Sequence, residues 1–276
     1  MPPPSPIGLL AGYGRFPIYF AEKARRRGIP VVCVGIRHMA DPVLQSLAHR
    51  FYWTGLAKLG RIIRCFKREG VCDLVMAGKV LKSAMYTPWR ILSLMPDWRT
   101  LRSWYRARRD NRDDTLTYVV INEFAADGLR VGNPLDLCPE LLVAAGLLTR
   151  RKPTAGEETD IRFGWDLAKE IGRHDIGQSV SVKERAVLAV EAIEGTDRSI
   201  LRAGELCRAG GFVVVKVAKP QQDMRFDVPT VGPDTIETMK KAGARVLAVE
   251  AGKTIILDQA QTIALADRYG MSIVAL

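Results

Sequence analysis

Residues 7–36 read IGLLAGYGRFPIYFAEKARRRGIPVVCVGI, and this stretch sets the fold class. Ile7–Ala11 is an apolar run of strand length. Gly12-Tyr-Gly14-Arg-Phe-Pro17 is a glycine turn. Phe16, Phe20 and Ala24 recur at helical spacing within residues 16–27, and Ile29–Ile36 is a second apolar run. Two such strands joined by a helix form a β-turn-α-β unit with a right-handed crossover. The expected class is α/β, with a Rossmann-like N-terminal domain. Glycines let the backbone approach a ligand, and a helix N-terminus offers N–H groups to an anion. Gly12 and Gly14 are therefore candidates to meet a nucleotide or its phosphates. Pro17 stands where a dinucleotide fingerprint has its third glycine, and no acid ends the second strand. That disfavours a nicotinamide cofactor. An oxidoreductase built on this turn is the rival enzyme class.

Working outward, residues 58–70 read as a helix and Asp73–Ala77 as a third strand, followed by Gly78-Lys79. Doubly wound sheets place ligands at that strand end, so Lys79 is a candidate phosphate contact. Residues 82–112 interleave seven arginines with Tyr86, Trp89, Trp98, Trp104 and Tyr105. Such a mixture suits a membrane interface or single-stranded nucleic acid. Asp113–Ala126 reads as a helix, Gly128–Gly132 as a strand and Cys138–Gly146 as a short helix. Leu147–Glu157 reads as a linker, which divides the chain into domains 1–150 and 151–276.

The second domain opens with a helix through His174 and a turn at Asp175-Ile-Gly177-Gln178. Ser179–Val182 and Ala186–Ile193 read as a hairpin. Glu194-Gly195-Thr196-Asp197 starts a helix to Arg208, where a cap or a bound anion is favoured. Phe212–Val215 is a buried strand. The segment KVAKPQQDMRFDVPTVG, residues 216–232, follows it. If this segment is extended, Asp223, Arg225 and Asp227 point to one side. Carboxylates there can hold a divalent cation or take a proton from water, and an arginine can pair with phosphate. Pro233–Ala242, Val246–Glu250, Thr254–Leu257, Gln259–Tyr269 and Ser272–Ala275 continue the alternation of helix and strand. It predicts a C-terminal α/β domain with a mixed sheet.

A chain of 276 residues with net charge +11 favours an anionic partner without choosing one. The five cysteines form no C-x-x-C pair and read as buried free thiols of a reducing compartment. The start MPPPSPIG lacks the pattern of a signal peptide. No apolar run reaches the ~20 residues that span a bilayer. The three histidines lack ligand spacing. No G-x-S-x-G elbow argues for a serine hydrolase, and no RRM, zinc-finger or helix-turn-helix pattern argues for nucleic-acid binding.

GLLAGYGRFPIYFAEKARRRG, DIGQSV, VEAIEGTD, VVKVAKPQQDMRFDVPTVGPDTI and AVEAGKTIILD, in this order, together resemble the LpxI-type UDP-2,3-diacylglucosamine pyrophosphatases over nearly the whole chain. The resemblance implies a two-domain dimer that uses Mg²⁺ and water to cleave the substrate at its α-phosphorus. The products are UMP and 2,3-diacylglucosamine 1-phosphate, on the way to lipid A. It implies a required aspartate in Q-D-x-R-x-D, matched here by Asp223 and Asp227, of which Asp223 is favoured. Both are also candidate metal ligands, with Arg225 beside them. On the same basis Lys216, Lys219, Gln178 and Gln222 are expected at the substrate. Glu194, Gly195, Thr196 and Asp197 are expected to complete that shell. The implied partners are a lipid-linked UDP-sugar and a second copy of the chain. The expected place is the cytoplasm, and the arginine and tryptophan stretch 82–112 is the candidate for peripheral contact at the inner membrane. A hydrolase of another UDP-linked substrate is the nearest alternative.

Overall fold

The computed structural model describes residues 5–80, 95–107 and 113–276. Tyr86, Trp89, Arg90, Arg108, Arg109 and Arg112 of the basic stretch lie outside the described residues. The chain divides into two compact units, Met1–Cys138 and Pro139–Leu276.

The first unit runs β1 (Ile7–Ala11), α1 (Phe16–Arg26), β2 (Val31–Ile36), α2 (Leu44–Leu47), β3 (Arg50–Thr54), α3 (Leu59–Arg68), β4 (Asp73–Ala77), α4 (Trp98–Ala107), α5 (Asp113–Ala126) and β5 (Arg130–Val131). Its sheet has the order β3-β2-β1-β4-β5, and every pairing is parallel. The strand order reverses between β1 and β4, the switch point of a doubly wound sheet. Val32, Val34, Ile63, Phe66, Leu74 and Phe124 form the core beneath α3 and α5. The β-turn-α-β reading of residues 7–36 holds. β3 is not among the expected elements: RFYWT is too short to show a period, and only its place beside β2 makes it a strand.

The second unit runs β6 (Gly146–Leu147), α6 (Ala155–Arg173), β7 (Ser179–Lys183), β8 (Ala186–Val190), α7 (Thr196–Leu206), β9 (Phe212–Lys216), β10 (Thr230–Val231), α8 (Pro233–Ala242), β11 (Ala244–Val249), β12 (Ile255–Ile256), α9 (Gln259–Arg268) and β13 (Ser272–Ala275). The six-stranded sheet has the order β6-β13-β11-β9-β7-β8. β13, β11 and β9 are parallel, while β6, β7 and β8 run antiparallel to their neighbours. This is the expected mixed sheet. β9 is buried on both faces, which explains its unbroken apolar run. Phe212 and Val214 pack with Ile200, Ile236 and Met239 on one side. Val213 and Val215 pack with Ile161, Ala168 and Ile171 of α6 on the other.

Local signals fix the ends of these elements. Thr154 and Glu157 form a reciprocal capping box on α6. Glu184 and Arg185 turn the β7–β8 hairpin at positive φ, and the buried Asp160 carboxylate accepts both of their N–H groups at 2.8 and 2.7 Å. Three expectations change. Cys138–Gly146 is not a helix but a single 3-10 turn at Pro139–Leu141. Gly146, read as the end of that helix, and Leu147, read as linker, pair with β13. Residues 255–256 pair with β10 outside the main sheet. No disulfide joins the cysteines; Cys33 and Cys138 are buried, but Cys72 is exposed, against the expectation. Burial pushes the Cys33 thiol up to about 12, so it stays protonated.

Candidate active site

The residues that carry chemistry gather where β9 and β11 end, on a loop that leaves the sheet at Lys216. The loop is not extended. Gln222 N–H donates to Lys219 C=O at 3.0 Å, and Phe226 N–H to Asp223 C=O at 3.2 Å, giving two successive turns. The shared parity of Asp223, Arg225 and Asp227 therefore does not set their direction. Gln222 is spent inside the loop: its amide N–H groups reach the carbonyls of Asp223 and Phe226 at 3.3 and 3.1 Å. Phe226 is buried beneath.

The start of the loop is held on both sides. Val217 N–H donates to Gln178 C=O at 3.0 Å. Ala218 N–H donates to Glu250 Oε2 at 2.9 Å, and Lys169 Nζ donates to Ala218 C=O at 2.9 Å. Lys169 and Glu250 are themselves paired at 2.5 Å. Burial would push the Glu250 carboxyl up. Hydrogen bonds from Lys169, Lys253 and the Ala218 N–H outweigh it and hold the group below its usual range.

Past this clamp, Lys219 is only 3% exposed. Its ammonium lies 2.5 Å from Asp175 Oδ1 and 3.2 Å from Asp227 Oδ2. Gln178 Nε2 donates to the same Asp227 oxygen at 2.8 Å. The Asp227 side chain is half exposed and its backbone is left-handed, with φ +54°. The Gln178 Oε1 atom is buried without a partner, an acceptor that a ligand or a water could satisfy. Gly177, the preceding residue, packs on the backbone just past β8: a Cβ there would stand 2.1 Å from the Glu191 carbonyl oxygen. Asp223 and Arg225 form their own pair, with Nε 3.0 Å from Oδ1 and Nη2 2.6 Å from Oδ2.

A second buried network lies at the same strand ends. Lys216 Nζ donates to Thr196 Oγ1 at 2.8 Å and to Thr230 C=O at 3.2 Å. The Thr196 and Ser179 hydroxyls donate to Glu191 at 2.8 and 2.7 Å. Thr196 opens α7, whose N-cap, Gly195, offers no side-chain cap. Asp197 is exposed in the first turn. Glu194 is committed to Arg202 at 2.6 Å. Burial would raise its carboxyl, but backbone N–H groups and Arg202 hold it low.

Gly12, Gly14 and Lys79 belong to the other unit, at the β1/β4 switch point. There the backbones close on each other: Tyr13 N–H donates to Lys79 C=O at 2.9 Å, and Lys79 N–H to Tyr13 C=O at 2.8 Å. A Cβ on Gly12 would stand 2.7 Å from the Lys79 carbonyl oxygen. Gly12 is thus required by backbone meeting backbone. Gly14, at φ +105°, faces open space.

Residues 6–141 match the LpxI N-terminal domain, and residues 144–274 match the LpxI C-terminal domain. The chain belongs to the LpxI family. A curated LpxI-family relative, UDP-2,3-diacylglucosamine pyrophosphatase LpxI of Caulobacter vibrioides (strain ATCC 19089 / CIP 103742 / CB 15), is 34% identical over 96% of this chain and 95% of its own length. Among solved structures, the biotin carboxylase subunit of pyruvate carboxylase is similar at 14% identity and a TM-score of 0.21. The match covers 74% of this chain and 39% of that one. The chain thus spans about two fifths of that protein, and so weak a likeness carries no argument.

Within the LpxI C-terminal domain, Asp175, Glu191, Lys169 and Glu250 were not among the expected site residues. Asp175 had a legible signal. Lys219 follows the apolar Val217-Ala218, and a lysine buried there needs a carboxylate. Lys169 and Glu250 lie 81 residues apart, and no local pattern links them. Among the described residues, no three His, Cys, Asp or Glu side chains converge as a metal cage. A hard cation takes one or two carboxylates and completes its shell with phosphate oxygens and waters; here both Asp223 oxygens face Arg225, and Asp227 Oδ2 faces Lys219 and Gln178. Among the described residues no helix is long and apolar enough to cross a membrane.

Proposed function

We propose that this chain hydrolyses UDP-2,3-diacylglucosamine to UMP and 2,3-diacylglucosamine 1-phosphate, with the centre on the loop after β9. Family membership and the curated relative support the reaction class, a pyrophosphate hydrolase of lipid A biosynthesis. The observation that carries the site is the buried Lys219. It is shared by Asp175 and Asp227, next to the unpartnered Gln178 acceptor.

In the proposed reaction, water oxygen bonds to the α-phosphorus and the bond to the bridging oxygen breaks. That oxygen leaves on the sugar 1-phosphate. Asp227, exposed on one side, takes the water proton. Lys219 and Gln178 fix its orientation. Arg225, held by Asp223, and Lys216, held by Thr196, supply positive charge to the phosphates. Asp223 and Asp227 would hold Mg²⁺, which when bound neutralises charge on the phosphoryl oxygens. Glu194, Gly195 and Asp197 flank the helix end that offers N–H groups to a phosphate. Gly12, Gly14 and Lys79 remain candidates for the nucleotide. The reading includes a homodimer in the cytoplasm with peripheral contact at the inner membrane. The homodimer rests on the resemblance, and analytical ultracentrifugation tests it; the membrane contact rests on the arginine and tryptophan stretch.

The deciding experiment is UMP release from detergent-dispersed UDP-2,3-diacylglucosamine, with Mg²⁺ and with EDTA, for the wild-type chain, Asp223→Ala and Asp227→Asn. The expected result is metal-dependent release that Asp227→Asn abolishes. Full activity in both variants would remove the loop from the chemistry.

A further inference from the structure

Helix α4 is built inside out. Its inward residues are polar. The Arg99 guanidinium pairs with Glu123 at 2.6 Å and with Asp127 of the α5 end. The Thr100 hydroxyl accepts from Leu59 N–H at 3.1 Å and donates to Asp97 at 2.8 Å. Ser103 is buried. The apolar side chains face out: Trp98 is 80% exposed, Trp104 52% and Leu101 43%. A helix on a globular surface normally buries its apolar stripe and shows its polar one. Here the pattern is reversed, and large aromatic surface is left in water.

The exposed charge on this ridge is basic, while the acids of the neighbouring cleft are engaged, Asp97 by Thr100 and the Arg61 N–H and Asp127 by Lys67 and Arg99. The sequence of α4, WRTLRSWYRA, contains no acid. Arg102 is exposed beside Leu101, and Arg64 is exposed on the neighbouring α3. Neither has a carboxylate partner among the described residues. Between α3 and α4 lies a cleft of about 470 Å³, lined by Ile63, Arg64, Lys67, Trp98 and Arg99 among others. Lys67 and Arg99 are answered by Asp127, which leaves Arg64 as the unanswered cation there.

We infer that the outward face of α4, with the Arg64 cleft, docks on the surface of an anionic phospholipid bilayer. Tryptophan and leucine enter the headgroup boundary, while arginines meet lipid phosphates. A second copy of the chain fits less well, because it would bring Arg102 and Arg64 against like charge with no acid on α4 to answer them. The choice of a bilayer rests on the proposed lipid-borne substrate, which such docking would bring within reach.

The test is co-sedimentation of the full chain with phosphatidylglycerol/phosphatidylcholine vesicles and with phosphatidylcholine vesicles, at low and high salt. The variants are Trp98→Ala/Trp104→Ala and Arg64→Glu/Arg102→Glu. All four side chains are exposed, so the unfolding midpoint checks that the fold is kept. The wild-type chain should bind the anionic vesicles, less so at high salt. The tryptophan variant should lose about tenfold in partition. The arginine variant should lose the salt-dependent part. Both should keep UMP release from detergent-dispersed substrate. Wild-type binding in the tryptophan variant, or no binding by the wild type, overturns the inference. So does loss of self-association in that variant with vesicle binding unchanged, which would assign the face to a second copy. Vesicle binding without UMP release in detergent would sink the proposed reaction and leave the docking face standing.

Discussion

Both units end parallel strands at a carboxyl edge, and the two edges are finished differently. In the first unit the edge between β1 and β4 is closed by backbone. Tyr13 and Lys79 exchange N–H···O=C bonds, and Gly12 is small because a carbonyl lies where its side chain would be. In the second unit the edge beyond β9 is finished by side chains. Lys219 is joined to Asp175 and Asp227, and Lys216 through Thr196 to Glu191, by bonds of 2.5 to 3.2 Å. Neutral backbone closure costs little to bury. Buried charges are costly, and they persist only where each is answered. The contrast is one of kind: the second edge buries charge and the first buries neutral backbone.

The sharpest test of that contrast is Asp227→Asn, which keeps the shape and removes the charge. UMP release should fall by about 10³, within the range for losing a proton acceptor. Gly14→Ala, at the other edge, meets open space but must take φ +105°, so it should cost about 1–3 kcal/mol of stability while turnover of the folded enzyme falls far less than in Asp227→Asn. Equal losses would erase the distinction.

Lys219→Met should cost about 3–5 kcal/mol in urea unfolding, because the Asp175 carboxylate is left buried without its cation. A loss below about 1 kcal/mol would mean that water replaces the lysine.

Gly12→Ala should cost about 1–3 kcal/mol by forcing Lys79 away. Hydrogen exchange should then speed up at Tyr13 and Lys79, the amides of the bridge. Unchanged protection there would refute the close-approach reading.

The smallest expected effect concerns the clamp on Ala218. Glu250→Gln should lower kcat about tenfold with KM little changed, through looser aim of Lys219. It should also alter the pH dependence of stability. The folded Glu250 carboxyl titrates below its ordinary 4.5, so the charged form is favoured by folding. The wild-type advantage over the variant is therefore full above about 4.5 and lost as pH falls through the folded value. An advantage that persists at low pH would remove the charge from the argument.

Much of this was legible in the chain. The strands Ile7–Ala11, Asp73–Ala77 and Ser272–Ala275 and the helices Asp113–Ala126 and Pro233–Ala242 fall at the residues their patterns mark. Glycine turns, proline starts and apolar runs are local, and they act where they stand. Asp223, Arg225 and Asp227 stood out because two acids and an arginine after a buried strand are unusual. Their direction was not legible, since it depends on turns that Gln222 braces from within the loop. β3 was not legible either, because its strand character comes from β2 beside it.

The sequence by itself determined the α/β class, the order of most elements, the family and the loop that carries the acids. These follow from short-range periodicity and from motifs contiguous in the chain. Only the tertiary structure decided which carboxylate answers which lysine, that Gly12 serves a backbone contact, and that α4 wears its aromatics outside. Those facts depend on partners tens of residues away. Burial alone turns a charged residue from a solvated surface group into one whose partner must be present.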